Sequence, residues 1–153
     1  MCKFFSGLIN KHGKCYVKNG VTSHSELEQI FKIRDNGEYA KWELTPVNDW
    51  KVENWKFLLD EQRTPEWWND GYIQFCMAAV KECFNGKDWS GSLYLQGTAI
   101  TALPSGLKVG GSLYLQGTAI TALPSGLKFG GSLYLQGTAI TKIPPQLAYQ
   151  IIR

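Results

Sequence analysis

The stretch GSLYLQGTAITALPSGLKVG, residues 91–110, decides how this chain is read. It is written again over 111–130 with one change, Val109 becoming Phe129, and a third copy starts at Gly131 and holds to Thr141 before drifting. A fixed period of this length marks a repeat architecture whose single copies cannot bury their own apolar face. Each copy supplies one Leu-x-Leu strand, one turn, and an Ile and Leu pair that must point inward, so the copies have to stack. Residues two apart in a strand share a face, so if Leu93 and Leu95 point into the core, Ser92, Tyr94 and Gln96 point out. Stacking in register then lines up Tyr94, Tyr114 and Tyr134, and beside them Gln96, Gln116 and Gln136, at the strand spacing of about 4.8 Å. Tyrosine offers rigid contact area at little entropic cost, and with serine it is the composition that adaptable binding surfaces favour. This aromatic and amide strip is the candidate binding site. The competing reading is a stack of rings that merely holds a small sheet together.

The repeat resembles the short, twenty-residue bacterial leucine-rich repeat found in secreted effectors. The shared skeleton is Leu113, Leu115, Thr118, Ile120, Thr121, Leu123 and Pro124. Two departures stand out. Thr98, Thr118 and Thr138 occupy a ladder position that is usually Asn, and Val109, Gly110 and Gly111 stand where that family has a second proline and leucine. The resemblance implies a short leucine-rich-repeat-like β-solenoid over 89–153, with a parallel β-helix of similar rung length as the alternative. Two blocks of twenty that differ at one position are most simply a recent duplication, so a change in rung number is tolerated. Chemistry needs unlike groups in fixed positions, and a length-adjustable recognition surface fits such copies better than a catalytic centre does.

The rest of the chain reads as an α+β domain. Two β-prone runs, 3–11 and 14–18, flank His12 and Gly13 as a hairpin. A capping box of Ser23 with Glu26, or Ser25 with Glu28, opens a helix whose stripe is Leu27, Ile30 and Phe31, and Asp35, Asn36 and Gly37 mark its end. The run 38–44 alternates, with Ala40, Trp42 and Leu44 on one side, and 55–59 is the next strand, giving a sheet of about four. A loop with Asn48, Asp49 and Trp50 lies between them. Thr64, Pro65 and Glu66 predict a helix over 64–85 with Trp68, Tyr72, Phe75, Cys76, Ala79, Val80, Cys83 and Phe84 on its apolar face. Lying just before the first copy, this helix is placed to cap it, which sets the domains at 1–88 and 89–153. At the far end, Leu147, Tyr149, Ile151 and Ile152 are expected to cover the last rung; an uncovered edge would instead pair with a second copy of the chain.

Residues 1–84 resemble the start of uncharacterised proteins from phages and prophages, in MCKFFS, YVKNGVTSHSELEQIF, YAKWELTP and LDEQRTPEWW. The resemblance implies a phage-borne origin and carries no activity. Charge divides unevenly: 1–88 hold 12 basic and 13 acidic residues, whereas 89–153 hold Lys108, Lys128, Lys142 and Arg153 and no acid. Four spread cations fall short of the dense basic clustering of a nucleic-acid binder, so weak binding through the basic face is a secondary reading.

The four cysteines, Cys2, Cys15, Cys76 and Cys83, form no C-x-x-C pair, which argues against a structural zinc site, and free thiols suit a reducing compartment. No export signal or membrane span is visible, so the expectation is the cytoplasm, that of the bacterial host if the protein is phage-encoded. An enzyme would rest on Cys2 as an N-terminal nucleophile, similar to the amidotransferases that begin Met-Cys-Gly, but Lys3 stands where that family has glycine. No catalytic set, metal or cofactor is assembled by the sequence. Trp67 and Trp68 either fill the core or form an exposed aromatic pair, and the exposed pair would be a binding hot spot. The reading is a non-enzymatic, phage-encoded interaction module that binds a host protein through the repeat surface, with inhibition of a host defence system as the expected outcome.

Overall fold

The computed structural model describes residues 5–34, 36–47, 50–60 and 64–152. Expectations placed on Cys2, Asp35, Asn48, Asp49 and Arg153 lie outside the described residues. The fold is mixed α/β, with few helices and several sheets. The chain divides into two compact units, Met1–Thr45 with Lys56–Phe84, and Pro46–Trp55 with Asn85–Arg153.

In the first unit, β1 (Phe5–Ile9) pairs antiparallel with β2 (Cys15–Tyr16), joined by a turn in which Gly13 has φ +83° and Asn10 Oδ1 accepts from the backbone N–H groups of His12 and Lys14. Helix α1 (His24–Phe31) starts on Ser23, whose side chain accepts from Glu26 N–H, so the first of the two capping boxes is used. Its stripe is narrower than expected. Leu27 is buried, but Ile30 and Phe31 in the last turn are exposed, and the helix ends early, at Lys32 in the left-handed region.

Strand β3 (Ala40–Thr45) buries Ala40, Trp42 and Leu44, as its alternation requires, and β4 (Lys56–Leu59) pairs with it, giving the order β2-β1-β3-β4. Central β1 is buried along its whole length because both faces are covered. Leu8 packs with Val21 and Leu27, and on the other side the Phe5 ring lies 6.0 Å from that of Phe84. Trp42 fits across the sheet only because its partner is Gly7, where a Cβ would sit 2.1 Å from the indole.

The helix expected over 64–85 is shorter. Asn69 Oδ1 accepts from Gly71 N–H and caps a 3-10 turn, Asp70–Tyr72, that leads into α2 (Ile73–Cys83). Pro65 serves a turn equally well, and here its carbonyl accepts from Trp68 N–H at 3.1 Å, while the Thr64 hydroxyl donates back to Asp60 O instead of capping. Cys76 and Val80 are buried, but Phe75, placed on the apolar face by spacing, is 47% exposed. Helix α2 belongs to the first unit, and the segment grouped with the repeat is Pro46–Trp55, held by Trp50 Nε1 donating to Gly86 O and by the crossed rings of Trp50 and Trp55.

The second unit repeats itself every twenty residues, with two short strands per copy where the sequence suggested one. Strands β5 (Asp88–Trp89), β7 (Lys108–Val109) and β9 (Lys128–Phe129) make one parallel sheet, and β6 (Leu93–Tyr94), β8 (Leu113–Tyr114), β10 (Leu133–Tyr134) and β11 (Ile151–Ile152) make another. Equivalent residues pair, Leu93 with Leu113 and Leu113 with Leu133. Inside lie Leu93, Leu95, Ile100, Leu107 and their counterparts, and each fully buried leucine stabilises by about 2 kcal/mol. Gly110 and Gly130 let neighbouring copies touch, since a Cβ there would meet the carbonyl oxygen of Ser90 or Gly110 at 2.3 or 2.4 Å. Ile151 and Ile152 continue the sheet beside β10 and Leu147 is buried, but Tyr149 is 84% exposed and covers nothing.

Candidate functional site

The strip is built from the strand outward. In each copy the first leucine of the Leu-x-Leu pair ends up under the sheet, and the tyrosine after it takes the opposite, partly exposed face. A turn closes the strand at once. Thr98 N–H donates to Leu95 O at 3.1 Å, with Gly97 at φ +71° in the third position of the turn, where an L side chain is strained. The Thr98 hydroxyl donates to the same carbonyl at 2.7 Å, and Thr118 and Thr138 do likewise at 2.8 Å. Each threonine hydroxyl therefore closes the turn of its own copy.

Bridging falls to serine. Ser112 N–H donates to Ser92 Oγ, and Ser132 N–H to Ser112 Oγ, each at 3.0 Å, with each serine two residues before its tyrosine. With the backbone fixed on both sides, the rings have little freedom. Tyr94 and Tyr114 stack with centroids 4.8 Å apart and planes at 15°, and Tyr114 and Tyr134 at 4.4 Å and 5°. These separations are the inter-strand spacing, so the sheet itself sets the stack. Desolvation, and next the neighbouring Tyr134 phenol, push the Tyr114 hydroxyl above the ordinary tyrosine pKa.

The amides behave differently from the phenols. Gln96 and Gln116 are half-buried, and their side-chain oxygens are shut from solvent without a hydrogen-bond partner, while Gln136 is exposed. The three phenols and the first two amides are all partly exposed, and of the amides the last is the most open to solvent. Lys108 and Lys128 pair in register on the other sheet, apart from the tyrosine strands.

Trp67 and Trp68 sit in the first unit, partly buried, in an aromatic cluster. Trp67 meets Tyr72 edge-on at 4.9 Å, and Trp68 lies between Tyr72 at 5.5 Å and Phe57 at 6.0 Å, nearly parallel to the latter. Trp67 also lines a cleft with Lys11, His12, Glu38, Tyr39 and Glu66. Among the described residues, no group of three or more His, Cys, Asp or Glu side chains converges as metal ligands, and no helix is long and apolar enough to cross a membrane.

Two features escaped the sequence reading. Trp89 Nε1 donates to Ser92 O at 2.9 Å, and Gln150 Nε2 donates to the carbonyls of Phe129 and Gly131, so side chains close both ends of the repeat. Cys15 also lies on β2 where α2, the helix with the buried Cys76, packs against it. The period itself held a signal for Gln150, which falls twenty residues after Gly130. No protein-family model, curated protein or solved structure matches this chain.

Proposed function

We propose that this chain is a non-enzymatic interaction module, a leucine-rich-repeat-like β-solenoid carried on an α+β domain, that binds a protein partner through its tyrosine face. The observation that carries the reading is the stack of Tyr94, Tyr114 and Tyr134 on the face opposite the buried leucines. Three identical groups in a row, their rotamers already fixed by stacking, lose little entropy when a partner covers them. The same identity of groups speaks against catalysis there, which requires unlike groups converging on one reacting atom. Nucleic acid is disfavoured because the in-register lysines lie on a different sheet from the tyrosines, whereas strand-binding grooves interleave cations with aromatic platforms.

A phage origin, a host protein as the partner, and inhibition of a host defence system as the outcome complete the proposal. They rest on the resemblance of residues 1–84 to phage and prophage proteins. The test is affinity capture from bacterial lysate, then titration of the purified partner against the wild type and a Tyr94→Ala, Tyr114→Ala, Tyr134→Ala variant with an unchanged far-ultraviolet spectrum. At least tenfold weaker binding of the variant is expected. Equal affinity overturns the assignment of the face.

A further inference from the structure

Cys15 and Cys76 are far apart in sequence but meet within the first unit. Cys15 opens β2, Cys76 lies in the first turns of α2, and the helix packs on that strand. Tyr16, the next residue, turns to the α1 side with its ring 5.3 Å from that of Phe31, so Cys15 faces the α2 side, where Gly13 lies beside the Phe75 ring and the Cys15 thiol donates to Gly13 O at 3.9 Å. Clamps at both ends of the helix hold this approach. Tyr72 Oη, just before α2, donates to Lys11 O at 2.9 Å, and Asn19 Nδ2 donates to Cys83 O, at the last helical residue, at 3.1 Å. Cys76 is fully buried, whereas Cys15 is partly exposed. An accessible thiol backed by a buried one is the arrangement of an attacking and a resolving cysteine.

We infer that Cys15 and Cys76 form a reversible redox latch, which a peroxide or a small-molecule disulfide oxidises to a disulfide that locks the β1–β2 hairpin to α2. With a peroxide, the Cys15 thiolate attacks one oxygen and the O–O bond breaks. With hydrogen peroxide, the departing hydroxide takes up a proton and leaves as water, and Cys15 becomes a sulfenic acid. The Cys76 sulfur then displaces the sulfenic hydroxyl, which leaves as a second water with the Cys76 proton. Each thiol gives up one electron and one proton, and the two electrons with the two protons reduce hydrogen peroxide to two waters. A small-molecule disulfide accepts the same two electrons by exchange through a mixed disulfide on Cys15.

The electrostatics agree with these roles. The hydrogen bond from Cys76 pulls the Cys15 thiol below its ordinary pKa, against the opposing effects of burial and Glu82. The same bond, with burial, pushes the Cys76 thiol up, so Cys76 keeps its proton as the donor until the second step. Cys83 is turned elsewhere: its thiol donates to Val80 O at 3.6 Å, and burial pushes it up to about 11.

The experiment uses the full chain with Cys2→Ser and Cys83→Ser, which leaves only this pair of the four cysteines. Hydrogen peroxide, or oxidised glutathione in a separate arm, is expected to remove both thiols together and to lower the intact mass by two hydrogens, about 2 Da. Digestion should yield a peptide linking Cys15 to Cys76, the urea midpoint should rise, and dithiothreitol should reverse every change. Cys76→Ser should stop the reaction at a Cys15 oxygen or glutathione adduct. Should that variant fail to fold, the linked peptide from the oxidised wild type decides. A stable adduct in the parent without a linked peptide, or thiols unchanged where free glutathione is oxidised, overturns the latch.

Discussion

Gln150 Nε2 donates to the backbone carbonyl of Gly131 at 2.9 Å, and the same amide nitrogen reaches Phe129 O at 3.3 Å. In the earlier copies these carbonyl positions accept from backbone: Trp89 O from Gly110 N–H and Val109 O from Gly130 N–H, Gly91 O from Gly111 N–H and Gly111 O from Gly131 N–H. A primary amide carries two N–H groups, so one side chain replaces both donors of the copy that does not follow.

Gln150→Ala is expected to leave both carbonyls without that donor and to destabilise the second unit by about 1–2 kcal/mol. Hydrogen exchange should accelerate at Gly130 and Gly131, where the last stacked copy begins. Gln146→Ala, at an exposed position, serves as the control and should be neutral in urea unfolding. Equal effects of the two variants would remove the capping role.

Trp89 closes the opposite end. Its indole donates to Ser92 O at 2.9 Å, the carbonyl position that in later copies accepts from a leucine N–H, as Ser112 O does from Leu93 and Ser132 O from Leu113. Trp89→Phe keeps much of the buried ring and loses the donor. A cost of about 2 kcal/mol is expected, combining one lost hydrogen bond with a small cavity, read as a lower urea midpoint.

Two glycines separate steric contact from backbone strain. At Gly130 a Cβ would lie 2.4 Å from Gly110 O, a backbone atom that the stacking holds in place, so Gly130→Ala should cost about 3 kcal/mol or more. At Gly97 nothing lies within 4 Å and only the φ of +71° opposes a side chain, so Gly97→Ala should cost about 1–2 kcal/mol. Urea unfolding of the two variants tests the order, and a reversal would contradict the close approach of the copies at the double-glycine corner.

The raised pKa of Tyr114 fixes the sign of an alkaline effect. Its folded value lies above the unfolded one of about 10, so its contribution to stability is intact below that pH and is lost as pH rises from there through the folded value. Phenolate absorbance should show this ring ionising after an ordinary tyrosine. Tyr114→Phe should remove the late phase and keep the stack, and Tyr114→Ala should cost about 2 kcal/mol by removing both ring contacts.

Period and strand alternation were enough to order the repeat. The twenty-residue spacing, the inward Leu93 and Leu95 and the outward Tyr94 are all consequences of a two-residue face alternation repeated in register. The four-stranded sheet of the first unit was legible for the same reason, through Ala40, Trp42 and Leu44. Local signals failed where one residue type serves two geometries. Pro65 suits a helix start and a turn alike, and residues 64–69 carry Trp67 and Trp68, which pack on Tyr72, with Trp68 also stacked on Phe57 of β4, a contact the local sequence does not show.

The sequence by itself therefore determined which residues of the repeat and of β3 face inward and that equivalent tyrosines align, because alternation and period are properties of neighbouring residues along the chain. Tertiary structure alone decided that the rings stack at 4.4 and 4.8 Å, that Gln96 and Gln116 draw their side-chain oxygens out of solvent, that Trp89 and Gln150 close the ends, and that the strand with Cys15 packs on the helix with Cys76. Each of these depends on the distance between side chains on different strands or helices, a quantity set by packing and not by spacing along the backbone.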